Sequence, residues 1–176
     1  MKHMTWKSAL GVGGVALALL SAAVQAKETV LAADQLNEIA LVDALSPPPT
    51  RQWLPGQRRP APPKASLLVT FVTDSSELTS EAKGMLDVLA GALKHERLAT
   101  SKFNIEGHAD PRGGEALNQR LSLERARSVR AYLVGQHGLD AAKLQPVGLG
   151  ATQPLNRKAA EAPENRRVTI VTQTPR

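Results

Sequence analysis

Asp110, Leu121, Ser122 and Arg125 are the residues whose types and spacing offer chemistry. Asp110 stands in a loop from Gly107 to Gly114, rich in Gly, Asp and Pro, just past a predicted strand. There the backbone lets a ligand approach closely. Leu121 and Ser122 fall where a helix is predicted to start, and free amides at a helix start attract anions. Arg125 is one turn further on and can hold a carboxylate through two parallel N–H groups. An acidic acceptor facing a guanidinium and helix amides suits a zwitterion. Asp110 would take its ammonium, and Arg125 with the amides would take its acid group.

Other chemistries fit the same residues less well. His108 and Asp110 form a two-member set with no third ligand at recognisable spacing, so no metal is expected. Ser, His and Asp are all present, but no Ser lies in a G-x-S-x-G turn and no partnered carboxylates are evident. The expectation is a protein that is not an enzyme and uses no cofactor. Arg120, Arg127 and Arg130 read as a solvated helix face. The chain has no cysteine, which excludes disulfides, thiolate sites and lipid attachment through an N-terminal Cys.

The elements that would position these groups follow from periodicity. Leu67 to Thr73 is β-branched and aromatic and predicts a first strand. Ser80 can cap a helix to about His95, with Met85, Leu86, Leu89 and Leu93 at helical spacing. Lys102 to Glu106 alternates as a second strand. A second helix is predicted over Ser122 to Gln136, with Ala126, Val129 and Leu133 inward and Gly138 ending it. Leu144 to Leu149 and Arg167 to Thr172 predict two more strands. The order β-α-β-α-β-β implies an α/β (α+β) two-layer sandwich, a four-stranded mixed sheet with helices on one face. With 3% aromatic residues, its core must be built from Leu, Val, Ile and Ala.

The stretch before this domain has three parts. Residues 1–26 read as a signal segment: Lys2 and Lys7, an uncharged run, then Val24 and Ala26 before Lys27. Whether cut or retained as an anchor, it directs export, with a periplasm as the natural destination. Residues 27–45 predict a short amphipathic helix with Asp34 as N-cap and Leu36, Ile39, Val42 and Leu45 near one face. Residues 46–66 form a Pro-rich basic linker, and the folded unit spans 67–176. The stretch 27–66 is too short for the smallest membrane barrel, which takes about 80 residues of strand. The formal net charge is +6, but the excess sits in the signal segment and in Arg51, Arg58, Arg59 and Lys64 of the acid-free linker. That placement argues against nucleic acid and for anionic polymers or lipid headgroups.

Gly107-His108-Ala109-Asp110, Gly113, Asn118, Leu121-Ser122 and Arg125-Ala126 come in order with Gly148, Gly150, Pro154 and Asn165-Arg166-Arg167-Val168. This pattern resembles the OmpA-like C-terminal domain over about residues 67–173. That family includes the peptidoglycan-associated lipoproteins and the periplasmic part of flagellar stator proteins. The resemblance implies non-catalytic binding of peptidoglycan, with Asp110 on the ammonium of diaminopimelate and Arg125 on its carboxylate. It also implies an assisting Leu121 amide, a ligand-facing Asp74 and a positioning role for Asn118. Asn165-Arg166-Arg167 would brace the last strand. Ala109 stands where Thr is commoner, and Thr73 replaces an aromatic. The expected partners are peptidoglycan and an outer-membrane or envelope protein docked on the N-terminal arm, with assembly of an envelope complex as the alternative role.

Overall fold

Leu41, Val42 and Leu45 lie on one side of a helix, α1 (Glu38–Leu45), and all three are buried. Asn37 caps it, its side chain accepting from the Ala40 amide at 2.8 Å. The computed structural model describes residues 29–31, 36–48, 60–72 and 75–173, so the expected signal segment 1–26 and about half of the expected linker 46–66 lie outside the described residues. Asp34, the expected cap, lies outside them too.

Five strands form one mixed sheet: β1 (Thr29–Leu31), β2 (Lys64–Leu67), β3 (Lys102–Gly107), β4 (Leu144–Gly148) and β5 (Val168–Gln173). Their spatial order is β1-β2-β5-β3-β4. The two outer pairs, β1 with β2 and β3 with β4, are parallel, and β5 runs antiparallel between β2 and β3. The helices α2 (Ser80–Lys94) and α3 (Glu115–His137) complete the fold, α2 packing between α1 and α3. The register places Ala65, Leu67, Ile170, Val168, Phe103 and Ile105 on one side of the sheet, all buried against the helices. Half-buried Asn104 and Glu106 share the other side with Ser66 and Thr169, which are buried and bond each other through their hydroxyls at 2.7 Å.

Three expectations are corrected. The sheet has five strands rather than four, because Thr29–Leu31 adds an edge strand beside β2. Three residues carry no readable alternation, so only the neighbouring strand makes them one. The first strand of the domain is Lys64–Leu67 rather than Leu67–Thr73. Beyond Leu67 the chain leaves the sheet, and Phe71 makes an isolated antiparallel bridge to Leu78.

Within 27–45 the described residues form a strand, Thr29–Leu31, and a helix, Glu38–Leu45, rather than a single short amphipathic helix. Leu41 and Leu45 are fully buried in the common core, and the Leu45 carbonyl accepts from Thr172 Oγ1 at 2.6 Å. Burying such a side chain contributes about 1.5–3 kcal/mol, so the folded unit begins well before residue 67. The apolar face of α1 belongs to this core and is not offered to a partner, although Ile39 on its other side is 75% exposed.

Candidate ligand-binding site

Gly107 ends β3 directly opposite Gly148, the last residue of β4. A methyl at either position would run into α3, at the Ser122 carbonyl or at the Leu123 and Gln119 backbone. The two glycines therefore seat the helix directly on the strand ends. Backbone pairing then carries the chain past β3: His108 N donates to Arg167 O at 3.0 Å and Ala109 N to Gly150 O at 2.8 Å. Asp110 follows at once. Its main-chain carbonyl accepts from Asn118 Nδ2 at 2.9 Å, which ties the loop to α3.

The Asp110 carboxylate is 7% exposed and accepts four hydrogen bonds. Its Oδ1 takes the Arg112 amide and Arg112 Nε, both at 3.1 Å. Its Oδ2 takes Arg112 Nη2 at 2.6 Å and Arg166 Nη1 at 2.8 Å. The Arg112 bonds first, and Arg166 after them, outweigh burial and hold this carboxyl far below the usual carboxylate range. It is a fixed anion.

Arg125 is half-buried on α3, seven residues after Asn118. Seven residues are about two turns, so the two side chains share a face roughly 10 Å apart along the axis. Arg125 Nε donates to Ser75 O at 3.1 Å, and its guanidinium lies 4.8 Å from the centre of the Phe71 ring. Phe71, bridged to Leu78, thus packs against α3 at Arg125.

The structure brings Asp110 and Asn118 into contact and sets Arg125 on the same face of α3. It does not support the helix-start amides. The helix begins at Glu115, so Leu121 lies in its second turn, where an amide bonds within the helix. Ser122 is fully buried, its hydroxyl donating to Gln119 O at 3.0 Å and accepting from the Gly150 amide at 2.9 Å. The apolar periodicity starts only at Ser122 because the earlier turns are exposed apart from Asn118 and half-buried Leu121. Asp74 lies outside the described residues.

Sequence reasoning missed the direct contacts of Arg112 and Arg166 with Asp110. The signal for Arg112 was its position two residues after Asp110, the spacing at which an Asx side chain meets a backbone amide. The family resemblance groups Arg166 with its neighbours as bracing, yet in the structure it is an ion-pair partner of Asp110. Asn165 is structural: its Nδ2 donates to Asn156, Ala159 and Ala160 carbonyls, and its Oδ1 accepts from the Asn156 amide. A cavity of about 210 Å³ lies at the far end of β3, lined by residues such as Leu93, Phe103, Leu139 and Leu144. It does not reach the Asp110 corner. Among the described residues no group of three potential metal ligands gathers, and no helix is long and apolar enough to cross a membrane.

A strand end and a helix that close on a buried, cation-bound aspartate define a recognisable class of domain. The model of the OmpA family matches residues 70–167, and the chain belongs to that family. It is 38% identical over 104 residues to outer membrane protein Omp38 of Acinetobacter baumannii, covering 58% of this chain and 29% of that protein. It is 38% identical over 102 residues to the peptidoglycan-associated lipoprotein of Pseudomonas aeruginosa, covering 57% and 58% of the two chains. The solved peptidoglycan-associated lipoprotein of Burkholderia pseudomallei superposes with a TM-score of 0.51 at 31% identity, over 61% of this chain and 89% of that one. The chain thus spans less than a third of Omp38 and more than half of the Pseudomonas lipoprotein.

Proposed function

We propose that this protein binds peptidoglycan in the bacterial cell envelope without cleaving it, and tethers the wall to an envelope component. The ligand is the free diaminopimelate end of the stem peptide, held at the corner where Asp110 faces α3. Asp110 takes the ammonium, Arg125 takes the carboxylate, and Asn118 keeps the loop against the helix. One observation carries this reading: a nearly buried carboxylate, fixed by two guanidinium groups, in a loop that Asn118 ties to the α3 face on which Arg125 also stands. The family relatives named for peptidoglycan association support the wall as the partner. The place of action is the periplasm, at the outer membrane and wall.

Retention of the purified protein on cell-wall sacculi tests the proposal. Asp110→Ala and Arg125→Ala are each expected to lose retention, and Arg125→Lys to bind worse than the parent because the planar fork is lost. Unchanged retention in Asp110→Ala and Arg125→Ala rejects the site. Release of soluble fragments from the sacculi would reject a purely binding role.

A further inference from the structure

The carboxylate of Asp110 has about four lone-pair positions, and all are taken in this structure. An incoming ammonium therefore needs a bond that some resident group gives up. The Arg112 amide is part of the loop backbone and cannot leave without remaking the turn. Arg166 is the more enclosed guanidinium, with 39% of its side chain exposed against 57% for Arg112. Arg112 is the group that can go. Its side chain holds one position on each oxygen, through Nε on Oδ1 and Nη2 on Oδ2. Its withdrawal would open both oxygens to the three donors of an ammonium.

We infer that Arg112 is a specificity-determining residue: it occupies Asp110 until a ligand displaces it, and it then pairs with the acid group of that ligand. The inference rests on the reading of Asp110 as the ammonium acceptor. Its physical basis is an exchange of ion pairs. A ligand that brings only an ammonium breaks the pair between Asp110 and Arg112 and leaves a guanidinium without its anion. A ligand that brings an ammonium and a carboxylate on one carbon replaces both halves. The Asp110–Arg112 fork thereby selects a zwitterionic end over a bare amine, which adds to whatever Arg125 contributes. Charge-assisted bidentate pairs have the strength and geometry for this selection.

Two stem tripeptides that differ only at the third residue, meso-diaminopimelate or lysine, separate these cases, because lysine carries the side-chain ammonium without the neighbouring carboxylate. Titration calorimetry of the parent protein should show a preference for the diaminopimelate peptide. Arg112→Gln keeps an exposed polar side chain at an exposed position and is expected to fold. It should cut that preference roughly tenfold, the scale of one charge-assisted bond, mainly through tighter binding of the lysine peptide. An unchanged ratio in Arg112→Gln, even with both affinities lower, overturns the inference. Asp110→Asn reports on the underlying reading: if it binds the diaminopimelate peptide as well as the parent does, Asp110 is not the acceptor and the site itself fails. If it loses binding while Arg112→Gln keeps the parental ratio, the site stands and only the role of Arg112 falls.

Discussion

Among the described residues, the Asp110 and Asp87 carboxylates are each bonded by two side chains, and they sit in different regions. Asp110, past the end of β3, is 7% exposed and is bonded by Arg112 and Arg166. Asp87, on the outer side of α2, is 51% exposed and accepts from Tyr132 Oη at 2.8 Å, with His137 Nε2 also at 2.8 Å from α3. The Asp87 carboxyl is likewise held below its ordinary value, first by the Tyr132 bond and then by His137. The partners differ less than the surroundings do. Solvent screens the Asp87 cluster, so it links two helices weakly. Burial makes the Asp110 cluster a fixed feature of the corner, where an unpaired charge would be costly.

Substitutions can break this contrast, and the largest effect is expected where the fold seats the Asp110 corner. Gly107→Ala drives a methyl into the Ser122 backbone, which cannot yield as a flexible side chain would. A loss of about 3 kcal/mol in urea unfolding is expected, the upper range for overpacking, together with loss of sacculus binding. The Asp87 cluster lies away from that contact and keeps its bonds.

Asp110→Ala comes next, with a loss of about 2 kcal/mol. That is the scale of bonds to a charged group, reduced because both arginines are more than a third exposed. Acid sharpens the same point. The folded Asp110 carboxyl titrates below its unfolded value of 3.8, so its stabilisation is complete above that value and is lost as pH falls toward the folded one. The stability difference between the parent and Asp110→Asn should be flat above about pH 5 and shrink below about pH 4. A difference that grows on acidification would contradict the ion-pair assignment. Asp87→Asn should change stability least, by about 0.5 kcal/mol or less, with no effect on sacculus binding.

The inward residues of α2 and α3 were readable because Met85, Leu86, Leu89, Leu93, Ala126, Val129 and Leu133 repeat at the spacing a helix imposes. Five of the six residues of β3, Lys102 to Glu106, were readable because Phe103 and Ile105 alternate with polar neighbours. The first turns of α3 were not, since Glu115 to Leu121 is exposed apart from Asn118 and half-buried Leu121, and so shows no apolar repeat. That omission put Leu121 at a helix start it does not occupy. Asp110 and Arg125 stood out from residue type and spacing, whereas the Arg166 contact joins positions 56 residues apart.

The sequence by itself determined the inward faces of α2, α3 and β3, the loop that carries Asp110 and the family resemblance, because those depend on local periodicity and on the order of a few residue types. Only the tertiary structure decided that Thr29–Leu31 is a strand, that α1 belongs to the core and that Arg112 and Arg166 meet at Asp110. Each of those outcomes depends on a neighbour brought close by folding, and no local pattern encodes which neighbour will be there.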